Sequence, residues 1–317
     1  MKFFKPILLI LLATFALAST AKTSDNELAT GSQTFGGFVN YVAFIKLDFA
    51  AYDVGCGSEG DVCAVGINKK LYCYDFVQNK WDLIPTNEEI TEVLAVDVDD
   101  DGRIYIIAQC GIYFFDCTDK WVKLPGSGKD IGVGVNFDVW KIGTDKESAT
   151  SPNYGLWKLF CDCKCDCVCT RLCLRFRKLN FFICDPIEKR KCIWFRADVY
   201  GVAVDVYPNG DAALVKADGK VFIVDAMTFD VKEVVAVNNP AIKAVDVTVG
   251  NNGVLIITSD AGKVYKYDTT LNKWIEISVP VPGVRICASA YDIPFYTAKN
   301  TDPTKQYVYT AARYDYI

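Results

Sequence analysis

One short phrase returns six times along the 317 residues: Ala or Asn, then Val or an aromatic residue, then Asp followed by Val or Ile. The copies are Ala51-Tyr52-Asp53-Val54, Ala95-Val96-Asp97-Val98, Asn136-Phe137-Asp138-Val139, Ala203-Val204-Asp205-Val206, Ala244-Val245-Asp246-Val247 and Ala290-Tyr291-Asp292-Ile293. Most neighbouring copies stand about 40 residues apart, a spacing that belongs to stacked structural repeats. The step from Asp138 to Asp205 is longer and carries an insertion.

Turn signals divide each unit. Asn251-Asn252-Gly253 and Asp260-Ala261-Gly262-Lys263 supply positive φ, and alternating runs such as Val264-Tyr265-Lys266-Tyr267 lie between turns. Three copies open their last strand on tryptophan, at Lys80-Trp81, Lys120-Trp121 and Lys273-Trp274. Four short antiparallel strands per unit follow. Such a unit cannot bury both faces alone, and radial stacking of copies solves this. The expected architecture is all-β, a six-bladed β-propeller of four-stranded antiparallel blades. The sixth copy shows three strands, so the strand-like segment 38–44 is expected to pair as its outer strand and close the ring.

The chain opens Met1-Lys2-Phe3-Phe4-Lys5, continues through an apolar run and reaches Ala16-Leu17-Ala18, the form of a secretory signal. Residues 1–21 are expected to be removed, leaving 22–317 as one propeller domain that is secreted, extracellular or at the cell surface. No later run approaches the roughly 20 apolar residues of a membrane span. Net charge is −5, and basic residues gather only at Arg171, Arg175, Arg177 and Lys178 and at Lys189, Arg190 and Lys191, so nucleic acid is not an expected partner. The sequence holds no histidine, which removes the usual general base and the usual zinc ligand.

All 14 cysteines follow the signal, where disulfides are the default. Cys161, Cys163, Cys165, Cys167 and Cys169 alternate, and Cys173, Cys184 and Cys192 follow. They are assigned to the third blade, with an insertion at about 146–178 between its second and third strands. Alternating cysteines on an extended strand share one face, which suits a stapled finger, an intermolecular link giving a disulfide-linked oligomer, or a soft-metal cluster. Oxidation favours the staple. Cys56, Cys63, Cys73, Cys110, Cys117 and Cys287 fall in blades one, two and six, and their spacing leaves the pairing open, a bridge of Cys56 to Cys63 included.

The stretch from Trp121-Val122-Lys123-Leu124-Pro125-Gly126 through Asp130-Ile131-Gly132-Val133-Gly134 resembles a tectonin repeat, and the same order runs from Trp81 through Asp97 and from Trp274 through Asp292. Resemblance to the tectonin/tachylectin-type lectin family implies binding of glycans or cell-surface polysaccharide without catalysis.

Two further features bear on chemistry. Asp97-Val98-Asp99-Asp100-Asp101-Gly102 opens like a calcium loop, but Tyr105 and Ala108 stand where later ligands belong, so calcium at Asp97, Asp99 and Asp101 is the weaker reading against an acidic turn. The recurrent aspartates 53, 97, 138, 205, 246 and 292 either cap turns or line a central channel. Trp81, Trp121 and Trp274 read as packing between blades. The expected protein is a non-catalytic, lectin-like binder with no catalytic residues and no required cofactor. The alternative is a structural subunit of an extracellular coat or filament assembled through the cysteine-rich insertion.

Overall fold

The computed structural model describes residues 29–30, 41–116, 120–161, 192–237 and 242–313. The expected signal segment, Cys117, and Cys163, Cys165, Cys167, Cys169, Cys173 and Cys184 lie outside the described residues.

The described chain is all-β apart from short 3-10 turns. Four sheets have four antiparallel strands each, and their strands follow chain order across residues 93–124, 130–201, 203–233 and 244–277. An eight-stranded sheet holds the rest. Its hinge is Tyr41–Cys56, a 16-residue strand. The first part of that strand pairs with Tyr307–Arg313, as in Phe44 opposite Ala311, and the last part pairs with Val62–Gly66, as in Val54 opposite Ala64. Register shifts between Lys46 and Ala50 and between Ala51 and Asp53 let one strand serve two partners.

The first strands of successive units lie innermost, against one another. Val93–Val98, Asp130–Val133, Ala203–Val206, Ala244–Val249 and Gly283–Ser289 pack side by side in that order, and Tyr41–Cys56 packs against Val93–Val98. The apolar clusters form between sheets. Cys63, Val65 and Leu71 of one sheet meet Val93, Val96 and Ile106 of the next, and Trp140, Ile142 and Leu156 meet Val204, Val206 and Leu214. Where inner strands converge, side chains give way to glycine: a Cβ on Gly55 would lie 2.5 Å from the Asp97 Cα, and one on Gly132 would lie 2.6 Å from the Asp205 Cα.

The tryptophans lock the outside. Trp81 stacks on Phe49 with centroids 4.6 Å apart, while Trp121 and Trp194 donate from Nε1 to the Pro85 and Pro125 carbonyls of the preceding sheets at 2.8 and 2.7 Å. Trp274 packs on Tyr267. Trp194 holds the same post as Trp121, although no lysine precedes it.

Two copies of the repeat phrase are displaced. Residues 135–137 and 290–292 form 3-10 turns that follow the inner strands, with Phe137 at φ 66° and Asp292 at φ 60°. The inner strands of those units are Asp130–Val133 and Gly283–Ser289, so Asp130 and Arg285 take the places expected for Asp138 and Asp292. The interruption of the 130–201 sheet also lies one strand later than expected. Val139–Lys146 pairs directly with Tyr154–Cys161, which pairs with Cys192–Gly201, so the break falls between the third and fourth strands at 162–191.

Three disulfides join described residues. Cys56–Cys287 ties two inner strands across 231 residues of sequence, and Cys63–Cys73 and Cys161–Cys192 each join directly opposed residues of adjacent strands. The last of these fastens the two strand ends from which the interruption departs. Cys110 is a free, exposed thiol that donates to the Glu89 carbonyl.

Candidate functional site

Five inner strands each turn an aspartate into the centre of the molecule, and the sixth brings Arg285. Each aspartate accepts from a backbone N–H of the next sheet. Asp53 takes Val96 at 2.9 Å, Asp97 takes Val133 at 2.7 Å, Asp130 takes Val204 at 2.9 Å, Asp205 takes Val249 at 2.7 Å and Asp246 takes Ile286 at 2.8 Å. The recurrent aspartate therefore does cap backbone amides, but those of its neighbour sheet and not of its own turn. Arg285 faces three of the five, with nitrogen–oxygen distances of 3.4 Å to Asp246, 3.7 Å to Asp53 and 3.9 Å to Asp130.

One guanidinium against five carboxylates leaves excess negative charge in a buried centre, and protons make up the difference. Burial raises the Asp130, Asp205 and Asp246 carboxyls to about 7, against the opposing pull of Arg285 on Asp130 and Asp246 and of the Val249 amide on Asp205. Burial likewise raises Asp53, and burial together with the Asp205 charge raises Asp97 further. For Arg285, burial works against the charge, but Asp246, Asp130 and Asp53 outweigh it and keep the guanidinium protonated.

Asp205 alone of the five lines a recess at one mouth of this centre, together with Ser58, Asp100, Asn251 and backbone at Gly134 and Gly250. The recess has a volume of about 30 Å³, enough for a water, which needs roughly 10–15 Å³. Pro208 and Asn251 also border a larger groove of about 520 Å³ between the first turns of the 203–233 and 244–277 sheets, within the size range of small-molecule sites.

In the calcium-like loop one guanidinium engages two of the three consecutive aspartates. Asp99 accepts from the Arg103 Nε at 2.6 Å, and Asp101 pairs with Arg103 Nη2 at 2.8 Å. Asp97 points instead to Val133. Among the described residues, no group of three or more Asp, Glu or Cys side chains converges in a way that could hold a metal ion. Of the expected aspartates, Asp138 pairs with Lys158 at 3.0 Å, and Asp292 accepts from the backbone and side chain of Asn252. Asp130 and Arg285 were not legible as site residues. The signal that marks Asp130 is its Asp-Ile-Gly-Val run, which matches Asp53-Val54-Gly55 in placing glycine two residues on.

No protein-family model matches the chain, and no curated protein matches it. Solved structures do. A gluconolactonase of Xanthomonas campestris is 13% identical with a TM-score of 0.59, covering 91% of this chain and 96% of its own. Virginiamycin B lyase of Staphylococcus aureus is 13% identical with a TM-score of 0.52, covering 84% of this chain and 97% of its own. The calcium-binding protein regucalcin of Agrobacterium tumefaciens is 12% identical with a TM-score of 0.53, covering 84% and 91%. At such identities the likeness defines the fold, and the chain is a β-propeller. None of these three is a tectonin.

The comparison corrects the expectation of a non-catalytic, lectin-like binder and, with it, the alternative of a coat or filament subunit. The lactonase and the lyase among these neighbours are enzymes, and nothing in their shared fold sets this chain apart as inert. The expectation of no enzyme rested on the missing histidine. A buried carboxyl raised to about 7 can carry a proton at neutral pH just as a histidine does.

Proposed function

We propose that this chain is a catalytic propeller that hydrolyses an uncharged ester or lactone at the mouth of its central channel, with Asp205 as the general base. The observation that carries this reading is a carboxyl raised to about 7 on the wall of a recess the size of one water, beside a groove large enough for a substrate. Asp205 takes a proton from water held in the recess, and the oxygen bonds to the substrate carbonyl carbon. The carbonyl oxygen carries the charge until the ester C–O bond breaks, and the leaving oxygen takes the proton from Asp205. Asn251, which borders both spaces, can donate to that oxygen from its side-chain amide. The neighbours' names, gluconolactonase above all, support hydrolysis of a cyclic ester.

The proposal includes six blades in a closed ring, the eight-stranded sheet counting as two. Pairing of Tyr41–Cys56 with Tyr307–Arg313 and the Cys56–Cys287 bond support it. It also includes export from the cell, supported by three disulfides and by the opening residues. Among the described residues no helix is long and apolar enough to cross a membrane.

A panel of δ-lactones and aryl esters tests the reading. Turnover should rise with pH to a midpoint near 7, and Asp205→Asn should lose roughly 100-fold in kcat. Absence of turnover across the panel, or full activity in the variant, would sink it.

A further inference from the structure

We infer that the groove between the turns 207–211 and 250–254 is a second subsite, which holds an uncharged part of the substrate that presents paired hydrogen-bond donors and acceptors, as an amide or a vicinal diol does. This rests on the reading of Asp205 as the reacting end, and it gives that reaction a substrate with a tail.

The groove is a built surface. Its two turns are closed by their own backbone bonds, Gly210 N–H to the Tyr207 carbonyl and Gly253 N–H to the Gly250 carbonyl, both at 2.8 Å. Tyr207 and Ile223 supply apolar wall, and three asparagines supply the polar groups. Two of those asparagines are held by carboxylates. Asn252 Nδ2 donates to Asp292 at 3.0 Å, which fixes the amide orientation and turns its Oδ1 away from the carboxylate. Asn209 Nδ2 donates to Asp211 at 2.7 Å, and its Oδ1 accepts from the Asp211 N–H at 3.2 Å. The third, Asn251, borders both the groove and the recess of Asp205, so a ligand lying in the groove reaches the water position without leaving protein contact.

Charge selects the tail. Asp211 lines the groove and Asp292 stands behind Asn252, so a carboxylate or phosphate tail would meet like charge. A cation would have to displace the amides that hold these carboxylates before it could pair with them directly. Asp211 accepts from Ala226 N–H and Asn209 Nδ2, and Asp292 accepts twice from Asn252. What remains on offer is the Asn251 amide and the Asn252 Oδ1, a donor and acceptors that match an amide or a diol.

The test uses 4-nitrophenyl esters of one leaving group and one chain length, whose acyl tails end in alkyl, primary amide, vicinal diol, carboxylate or ammonium. The wild-type chain should prefer amide or diol over alkyl by about tenfold in kcat/KM, the equivalent of one or two net hydrogen bonds. In Asn209→Ala/Asn252→Ala that ratio should fall toward one, mainly through KM, with the melting temperature recording that both exposed turns still fold. Equal rates for all tails, or a preference for carboxylate or ammonium, overturns the subsite. Calorimetric titration of Asp205→Asn with the amide-tailed inert ketone separates the two claims. Binding that is lost when the two asparagine substitutions are added upholds the groove even if no ester is hydrolysed. Hydrolysis without tail preference and without ketone binding rejects the groove and leaves Asp205 standing.

Discussion

The acidic loop of the 93–124 sheet and the carboxylate at the channel mouth invite comparison, because both place an aspartate at the end of an inner strand and only one has a private cation. Asp99 is nearly inaccessible, and its carboxyl, raised by burial to about 6, is held by Arg103 four residues away. Asp205 has two backbone amides, at Val249 and Val206, but no guanidinium within its reach, and it stays near 7. Burial lifts both carboxyls; the difference is that Asp99 is tied to Arg103, whereas Asp205 is held by the Val249 and Val206 amides and the Thr248 side chain and borders the recess. The calcium-like spelling of the first and the plain Asp-Val of the second gave the opposite impression.

The comparison breaks most sharply at Arg103. Replacement by Leu strands Asp99 and Asp101 beside a buried Tyr105, and unfolding in denaturant should show a loss of about 3–5 kcal/mol. Arg285→Met removes the counter-charge of Asp53, Asp130 and Asp246. It should cost on the order of 3 kcal/mol at pH 8 and clearly less at pH 5, where the freed carboxyls take up protons; an equal loss at both pH values would show that the three are not ionised partners. Asp99→Asn should cost about 1–3 kcal/mol, since it weakens a bond to a charged donor. Asp205→Asn should cost a similar amount, about 1–3 kcal/mol, because the single amide oxygen can replace only one of the two oxygens that accept from Val249 and Val206.

A smaller effect follows from linkage. Folded Asp130, Asp205 and Asp246 keep protons up to about 7, whereas an unfolded aspartate releases its proton near 3.9. Between those values the native chain binds more protons, so these groups make stability greatest at the acidic end and lower it as pH rises through 7. Melting temperature should therefore fall from pH 5 to pH 8, and a rise over that interval would contradict the buried ring. Smallest of all, millimolar calcium should leave the melting temperature of the wild-type chain unchanged, because Arg103 already occupies Asp99 and Asp101; an upward shift would reopen the loop as a cation site.

Much of this was legible in the residues. The turn glycines and alternating runs marked sheets of four strands, and Asp53, Asp97, Asp205 and Asp246 stand on inner strands as their phrase implied. Asp138 and Asp292 carried the same phrase into 3-10 turns, because a three-residue match does not reveal that Phe137 or Asp292 will adopt positive φ. The insertion was placed one strand early for a related reason. Tyr154–Cys161 and the run near Cys184 both alternate, and only pairing with Cys192–Gly201 chose between them.

What the sequence determined by itself is local and periodic: strands, turns, a repeat near 40 residues and a cysteine-rich interruption. What only the tertiary structure decided is which charges meet. Arg285 stands in no repeat phrase, and it meets Asp53, Asp130 and Asp246 of three different sheets because stacking brings the inner strands of those sheets together. Burial there, and not residue type, lifts the carboxyls, and burial is a property of the assembled sheets that no single repeat carries.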